Sequence, residues 1–481
     1  MMDINISESL FLFLPEIVMV LGAMSVLMLG AFGWLRFAPV FAIAITSIVA
    51  FLTISTNHVD AKSFGGMMHL NAFINYGKAL ITIASTFILL LMFHEKRKFE
   101  LPVLVMLSTA GMMLLVSANS LLTLYISLEL MSLPSYIMAA FDRERSRSTE
   151  AGMKYFILGS IASGLFLLGT SFVYGFTGAI NFDGIYDYYV TISSDAESTA
   201  MPIGFLIGLV FIIVAMSFKI SAAPFHMWAP DVYQGSPTIV TTFFASAPKI
   251  AGFMILIKLL LDPFSQLYVQ WQQIVLVISI ASMFVGSLGA IMQRNFKRLL
   301  AYSSIGHVGF MLSGVVTAEN EGVQGVLIYM AIYLTMTLAT FACLLLLKKD
   351  KKLIEDIYDL AGLAKSHPSV ALGLAALMLS MAGIPPMAGF FAKFYILIPL
   401  IKTEMYSLAV TFVIASVISA FYYLKIIKIV YFDAQNKKLE LTASPVIKAT
   451  MLLGVAFNVL YIFAPAALIN AAEVASLVLF K

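Results

Sequence analysis

Cysteine occurs once in this 481-residue chain, as Cys343 inside a hydrophobic run. A single thiol excludes a disulfide framework, a thiolate-held iron–sulfur cluster and a cysteine-rich zinc site. Charge is equally scarce: 11% of the residues are Asp, Glu, Lys or Arg, where soluble domains carry about a quarter. No glycine-rich loop has the spacing that cradles a phosphate, and no flavin or nicotinamide fingerprint follows a strand. The six histidines include no pair at facing mid-span positions of the kind that would hold a haem. These absences predict a chain with no cofactor of its own. The net charge is +3, but the basic residues fall in short loops, so no nucleic-acid surface is expected.

What remains is apolar. Hydrophobic residues make up 61% of the chain and the mean hydropathy is +0.96, which predicts an all-α polytopic membrane protein. The first residues, MMDINISESL, are acidic and lack the basic start of a cleavable signal, so the first apolar segment is expected to stay as a helix. At about 20 apolar residues per crossing, fourteen spans are read. They cover 10–30, 38–55, 72–93, 102–118, 120–141, 151–175, 201–222, 237–261, 271–292, 298–317, 323–347, 369–400, 405–431 and 446–468. Only Ala118, Asn119 and Ser120 separate the fourth from the fifth.

Loop charge tests the count. Loops after odd-numbered spans carry Arg36; Lys96, Arg97 and Lys98; Arg143, Arg145 and Arg147; Arg294, Lys297 and Arg298; Lys348, Lys349, Lys351, Lys352 and Lys365; and Lys437 and Lys438. Loops after even-numbered spans carry only Lys62 and Lys402, and the long one at 176–200 has Asp183, Asp187, Asp195 and Glu197 with no base. The positive-inside rule then places both termini on the periplasmic side of a bacterial inner membrane, or its mitochondrial equivalent.

Two spans are interrupted alike. In the seventh, Lys219-Ile-Ser-Ala-Ala-Pro224 sets a proline soon after a lysine, and Pro224 frees the carbonyl of Ile220. In the twelfth, Ser380-Met-Ala-Gly-Ile-Pro-Pro386 precedes Gly389 and Lys393, and Pro385 and Pro386 free the carbonyls of Met381 and Ala382. Broken helices at membrane depth line protein or a wet cavity, and paired breaks in the two halves of a transporter mark its path. An offset of five spans makes the two run in opposite directions, as an inverted five-helix repeat requires. The expected division is 1–100 for three leading helices, 101–262 for spans 4–8, 263–432 for spans 9–13, and 433–481 for a last helix.

Six ionisable side chains sit in these apolar stretches: Glu129, Lys154, Lys219, Lys249, His307 and Lys393. A Lys or acid at the bilayer centre costs roughly 2.5–3.5 kcal/mol on insertion scales. A chain that only had to fold would not retain several, so they are read as a proton or ion path. Lys219 lies too deep to snorkel; Lys154, near the start of its span, has that option. Lys249 follows Pro248 and is central. His307 has small neighbours that leave room for a partner, and His226 follows Pro224; either would also serve as a plain packing histidine. Lys258, half a revolution from Lys249 and near a helix end, is expected to snorkel.

The string from Lys219 to Thr238, KISAAPFHMWAPDVYQGSPT, resembles the core of the proton-translocating membrane subunits shared by NADH–quinone oxidoreductase (respiratory complex I) and multi-subunit cation/proton antiporters. The stretches Ala140-Phe-Asp-Arg143, Glu150–Ser160 and Tyr174–Gly178 are similar to the N-type subunit, the mitochondrial subunit 2 equivalent. The resemblance covers essentially the whole chain. It implies that Glu129 and Lys219 form an acid–base pair modulated by Lys154, with Lys249 as central relay and Lys393 as terminal one. His307 would lie between the last two. A lysine at 393, and an expected end soon after the fourteenth helix without a long lateral helix, favour the N type. The resemblance also implies partners among the membrane and peripheral subunits of the complex. Its FMN and iron–sulfur clusters would lie in those other subunits, and quinone, such as ubiquinone, would be reduced elsewhere. Competing readings are an antiporter subunit and a structural membrane scaffold.

Overall fold

The computed structural model describes residues 6–35, 37–56, 59–93, 99–194, 201–350, 352–434 and 439–480. Arg36, Lys96, Arg97, Lys98, Asp195, Glu197, Lys351, Lys437 and Lys438, used in the loop-charge argument, lie outside the described residues.

Helices dominate because an apolar segment in lipid must satisfy its backbone internally. They begin with α1 (Ile6–Leu12), α2 (Leu14–Ala31), α3 (Ala38–Ser55), α4 (Ala72–Met92), α5 (Glu100–Ser117), α6 (Leu121–Ala139) and α7 (Ser146–Thr177). Next are α8 (Phe182–Ser194), α9 (Ile203–Lys219), α10 (Trp228–Gly235), α11 (Thr238–Phe244), α12 (Ala247–Leu261), α13 (Tyr268–Ile291) and α14 (Phe296–Val316). The last are α15 (Asn320–Leu346), α16 (Leu363–Ser366), α17 (Pro368–Ala382), α18 (Ala388–Lys402), α19 (Tyr406–Phe432), α20 (Pro445–Leu460) and α21 (Ala466–Leu477). Twelve helical segments among the described residues are long and apolar enough to cross a membrane.

Local chemistry sets several starts. Asn71, Ser120, Asn295 and Ser444 accept a backbone N–H in the first turn of α4, α6, α14 and α20. The three residues Ala118–Ser120 do separate two helices, α5 and α6.

The expected twelfth span is two helices, α17 and α18, whereas the expected seventh, 201–222, holds α9 alone and α10 follows beyond it. The chain leaves α9 at Lys219 and resumes in α10; it leaves α17 at Ala382, turns through Gly383 with φ +84°, and resumes in α18. The expected continuous helix over 237–261 is corrected: it breaks at Ala245–Ser246 between α11 and α12. Pro248 cannot donate to the carbonyl of Phe244, and that carbonyl instead accepts the Tyr233 hydroxyl at 3.0 Å. The chain also continues past α20 into α21, which packs on α15 and α4.

Short strands stand at the helix ends. β1 (Ala61–Ser63) pairs antiparallel with β2 (Met68–Leu70), and β3 (Leu347–Lys349) pairs with β4 (Lys352–Leu353) and β5 (Glu440–Leu441). The first hairpin, through Lys62, bonds Asp183, which shares a rim with Asp187, Asp262 and Glu319; the second sheet carries Lys349 on the other, where Arg145 bonds Glu355 and Asn295, just before Arg298, bridges Asp356. We call these the acidic and the basic rim. Helices α12, α14 and α15 are enclosed almost completely, whereas α2, α3, α7 and α19 turn about two thirds of their residues outward. Leu21, Phe51, Ile126, Val277, Val417 and Leu453 are among the outward side chains, an apolar belt suited to acyl chains.

Candidate proton-relay site

Each half of the chain holds a lysine at a helix break. Lys219, the last residue of α9, is buried, and its Nζ donates to Ser132 Oγ at 2.9 Å and reaches the Tyr136 hydroxyl at 3.5 Å. Glu129, Ser132 and Tyr136 share one face of α6 by their spacing of three and four. Glu129 is half-buried and near enough for its charge to act on Lys219. Among the described residues no ion pair within 4.0 Å joins them; serine and tyrosine hydroxyls hold the ammonium, and the Glu129 charge acts on it from further off. Nor does Lys219 turn to the Ile220 carbonyl. The neighbouring Phe218 carbonyl accepts from Trp228 Nε1 at 3.0 Å, and the Ala223 N–H donates to Ser282 Oγ at 2.8 Å.

At the second break one of the two freed carbonyls, that of Ala382, has a lysine partner. Lys393 Nζ donates to Ala382 O and to Ser416 Oγ, both at 2.9 Å, and lies 4.9 Å from the centre of the Phe310 ring.

One face of α14 lies between the two central lysines. Lys249 Nζ donates to Ser304 Oγ at 2.6 Å. One turn on, His307 bonds the hydroxyls of Tyr329 through Nδ1 at 2.7 Å and of Tyr423 through Nε2 at 3.0 Å. One turn further is Phe310, under Lys393. The charges of Lys249 and Lys393 both act on His307, which is itself buried. Ser304, His307 and Phe310 thus lie at successive turns of one helix, with a lysine at each end.

Lys154 is not brought into this line. Its side chain is 43% exposed, and Nζ bonds Glu150 at 2.7 Å and Asp231 at 2.9 Å, the latter also held by Arg298. α7 has 32 residues, and Lys154, the ninth of them, stands in its third turn among the charges of the basic rim. His226 is half-buried in the segment between α9 and α10, and its Nδ1 has no hydrogen-bond partner.

The expectation for Lys258 is overturned. It is 1% exposed, with Nζ donating to Ala118 O at 2.7 Å beside the Phe182 ring. Snorkelling needs an open face, and α12 has none. Lys297, read as a loop base, is buried with Nζ on Ser236 O at 2.8 Å. Sequence reasoning also missed a buried ion pair, Glu16 on α2 with Lys78 on α4. The signal was present, since Asn71, Asn75, Lys78, Thr82 and Ser85 form a polar stripe at helical spacing on α4. A ladder of rings between Lys219 and Lys249 went unread as well: Tyr136, Tyr155, Trp228 and Tyr233 have successive centroid separations of 4.8, 4.4 and 6.4 Å. Among the described residues no three His, Cys, Asp or Glu side chains gather as metal ligands.

Broken helices carrying buried lysines within an antiporter-like bundle define the class. Residues 118–419 match the model of the NADH:quinone oxidoreductase/Mrp antiporter transmembrane family, and the chain belongs to that family. It is 44% identical over 474 residues to NADH-quinone oxidoreductase subunit N of Rhodospirillum rubrum, with 96% of each chain covered. It is 42% identical to the subunit N of Pelagibacter ubique, covering 96% of this chain and 98% of that one. A chain of respiratory complex I from Thermus thermophilus superposes with a TM-score of 0.79 at 27% identity, covering 96% and 99%. A chain of the Mrp complex from Dietzia shares the fold, with a TM-score of 0.83 at 19% identity, covering 97% and 98%.

Proposed function

We propose that this chain is a proton-translocating membrane subunit of an NADH–quinone oxidoreductase, with no redox centre of its own. Its relatives at 42–45% identity carry the name subunit N, whereas the antiporter resemblance at 19% identity is one of fold. The observation that carries the mechanism is the α14 face linking Lys249, through Ser304 and His307, to the Phe310–Lys393 contact. Quinone reduction in a neighbouring subunit, fed by FMN and iron–sulfur clusters held elsewhere, would alter the hold of Glu129, Ser132 and Tyr136 on Lys219. Protons then load from the basic rim and pass along the lysines and His307, with Lys154 admitting them at the surface. Counting each broken pair as one crossing gives fourteen spans, and the breaks at Lys219 and before Lys393 support two inverted repeats. The loop charges support an inner membrane with the termini outside.

The test is Lys393 in the assembled complex. An alanine there is easier to bury by roughly 2.5–3.5 kcal/mol on insertion scales, so Lys393→Ala should assemble, while NADH-driven proton translocation in membrane vesicles should fall sharply. Lys393→Arg keeps the charge but seldom releases its proton, and should also fail. Lys402→Ala, which loses only an exposed ion pair with Glu321, is the control and should pump normally. Normal pumping in Lys393→Ala would remove it from the relay and favour a scaffold role.

A further inference from the structure

Lys258 has the surroundings of a relay lysine, although it lies near the acidic rim and off the line just described. Lys78, also buried, is matched by the Glu16 carboxylate. Lys258 is not matched in this way: its hydrogen-bond partner is a neutral oxygen, Ala118 O, and the Phe182 ring centre is 5.5 Å away. Lys249 has the same pattern, with Ser304 Oγ and the Tyr233 ring at 5.6 Å, and Lys393 has it with Ser416, Ala382 and Phe310. A buried ammonium held by neutral dipoles is one whose proton is not pinned by a fixed counter-charge.

Beyond Lys258 the chain opens. Asp262 lies four residues on, over the same helix face, directly after the last residue of α12. It lines a cavity of about 610 Å3 with Asp183, Asp187 and Glu319, edged by Leu479 and Phe480 from the chain's end. Asp183 follows Phe182, so the residue whose ring flanks the ammonium is joined to one that lines the cavity.

We propose that Lys258 is a further proton-carrying residue of this subunit, delivering protons through Asp262 into the acid-lined cavity on the acidic rim. The inference rests on the relay reading above. In the step, the Lys258 ammonium loses a proton through water to an Asp262 carboxylate oxygen, leaving a neutral amine and a carboxylic acid. The acid releases its proton to water in the cavity, and the amine is recharged from water on the interior side. Burial pushes the Asp262 carboxyl above the ordinary carboxylate range, against the opposing charge of Lys258, which suits a transient proton acceptor. Lys78, Lys62, His69 and Asp183 are the other charged or titratable groups whose fields reach the two.

The experiment compares Lys258→Gln, Lys249→Gln and Asp262→Asn in assembled complex in membrane vesicles, by NADH-driven proton translocation. Gln keeps an N–H donor for Ala118 O but cannot carry a proton, so a purely structural lysine would be replaced without loss. A several-fold fall in Lys258→Gln, matching that in Lys249→Gln, is the expected result. Normal translocation in Lys258→Gln beside a loss in Lys249→Gln overturns this inference and leaves the relay intact. Normal translocation in both overturns the two together. Should Lys258→Gln not assemble, Asp262→Asn at the half-buried helix end decides: a several-fold loss supports the outlet, and normal translocation overturns it.

Discussion

At the scale of single residues, the buried charges fall into two kinds that respond differently to substitution. Glu16 and Lys78 neutralise each other inside the leading helices. Removing one partner strands a buried charge at a cost of about 3–5 kcal/mol, whereas replacing both by apolar groups of similar volume is often neutral. Glu16→Leu should therefore lower the thermal stability of the detergent-solubilised subunit and its yield in the complex. Glu16→Leu combined with Lys78→Met should restore both, and no recovery in the double variant would show that the pair does more than hold helices. Ser304 belongs to the other kind. Its hydroxyl holds Lys249 at 2.6 Å, so Ser304→Ala removes a hydrogen bond to a charged group, worth about 1.5–3 kcal/mol. It should slow proton translocation with assembly intact, while Ser304→Thr retains much of the rate. The central lysines were legible in the sequence because a charge in an apolar run stands out. Their partners were not, because Ser132, Tyr136, Ser304 and Ser416 are ordinary in a membrane helix until a fold sets them opposite a lysine. Lys258 was misread for a related reason: position along a helix does not say whether that helix faces lipid or protein. Lys78 was overlooked although it stands in the same kind of run.

At the scale of helices, glycines set how closely the site's walls approach. A Cβ built on Gly159 of α7 would lie 2.1 Å from the Tyr136 hydroxyl oxygen, the group beside Lys219. Gly159→Ala should push the Tyr136 ring aside and loosen its contact with the ammonium, reducing proton translocation more than stability. Gly164→Ala meets nothing within 4 Å, and by helix propensity it stabilises by up to about 1 kcal/mol, so it is the matched control. Equal translocation in the two variants would take Tyr136 out of the mechanism. At the second break the constraint is harder. A Cβ on Gly389 would come 1.8 Å from the Ser380 carbonyl oxygen, and backbone cannot give way as a side chain can. Gly389→Ala should force α17 and α18 apart and cost assembly itself, read as a loss of mature complex. The breaks themselves were foreseeable from Pro224, Pro385 and Pro386. The α11–α12 break was not, because Pro248 sits in a first turn where proline is usually tolerated. Here the preceding helix runs into that turn, and the Phe244 carbonyl it frees is satisfied from α10 by Tyr233, a contact no local pattern encodes.

At the scale of the whole molecule, charge is sorted between the two rims. The basic rim holds Arg145, Lys154, Arg298 and Lys349, tied to Asp142, Glu150, Asp231, Glu355 and Asp359. The acidic rim holds Asp183, Asp187, Asp262 and Glu319 around its cavity. A membrane protein with basic short loops retains them in the cytoplasm because translocating Lys and Arg is disfavoured, whereas Asp and Glu contribute little to orientation. The sorting therefore makes a directional prediction. With Cys343 first replaced by Ala, an Arg145→Cys variant should react with a membrane-impermeant thiol reagent only from the cytoplasmic side. Asp187→Cys should react only from the opposite side. Each probe is a partly or fully exposed position, so a failure to label is not a matter of burial. The two positions are separated by one crossing, α7, which makes the pair a direct test of that span as well as of overall direction. Labelling of both from one side would break the alternation of spans on which the fourteen-crossing reading depends. Labelling from opposite sides but in the reversed sense would keep the fold and invert the proposed direction of proton flow, putting Lys154 at the outlet and the Asp262 cavity at the inlet.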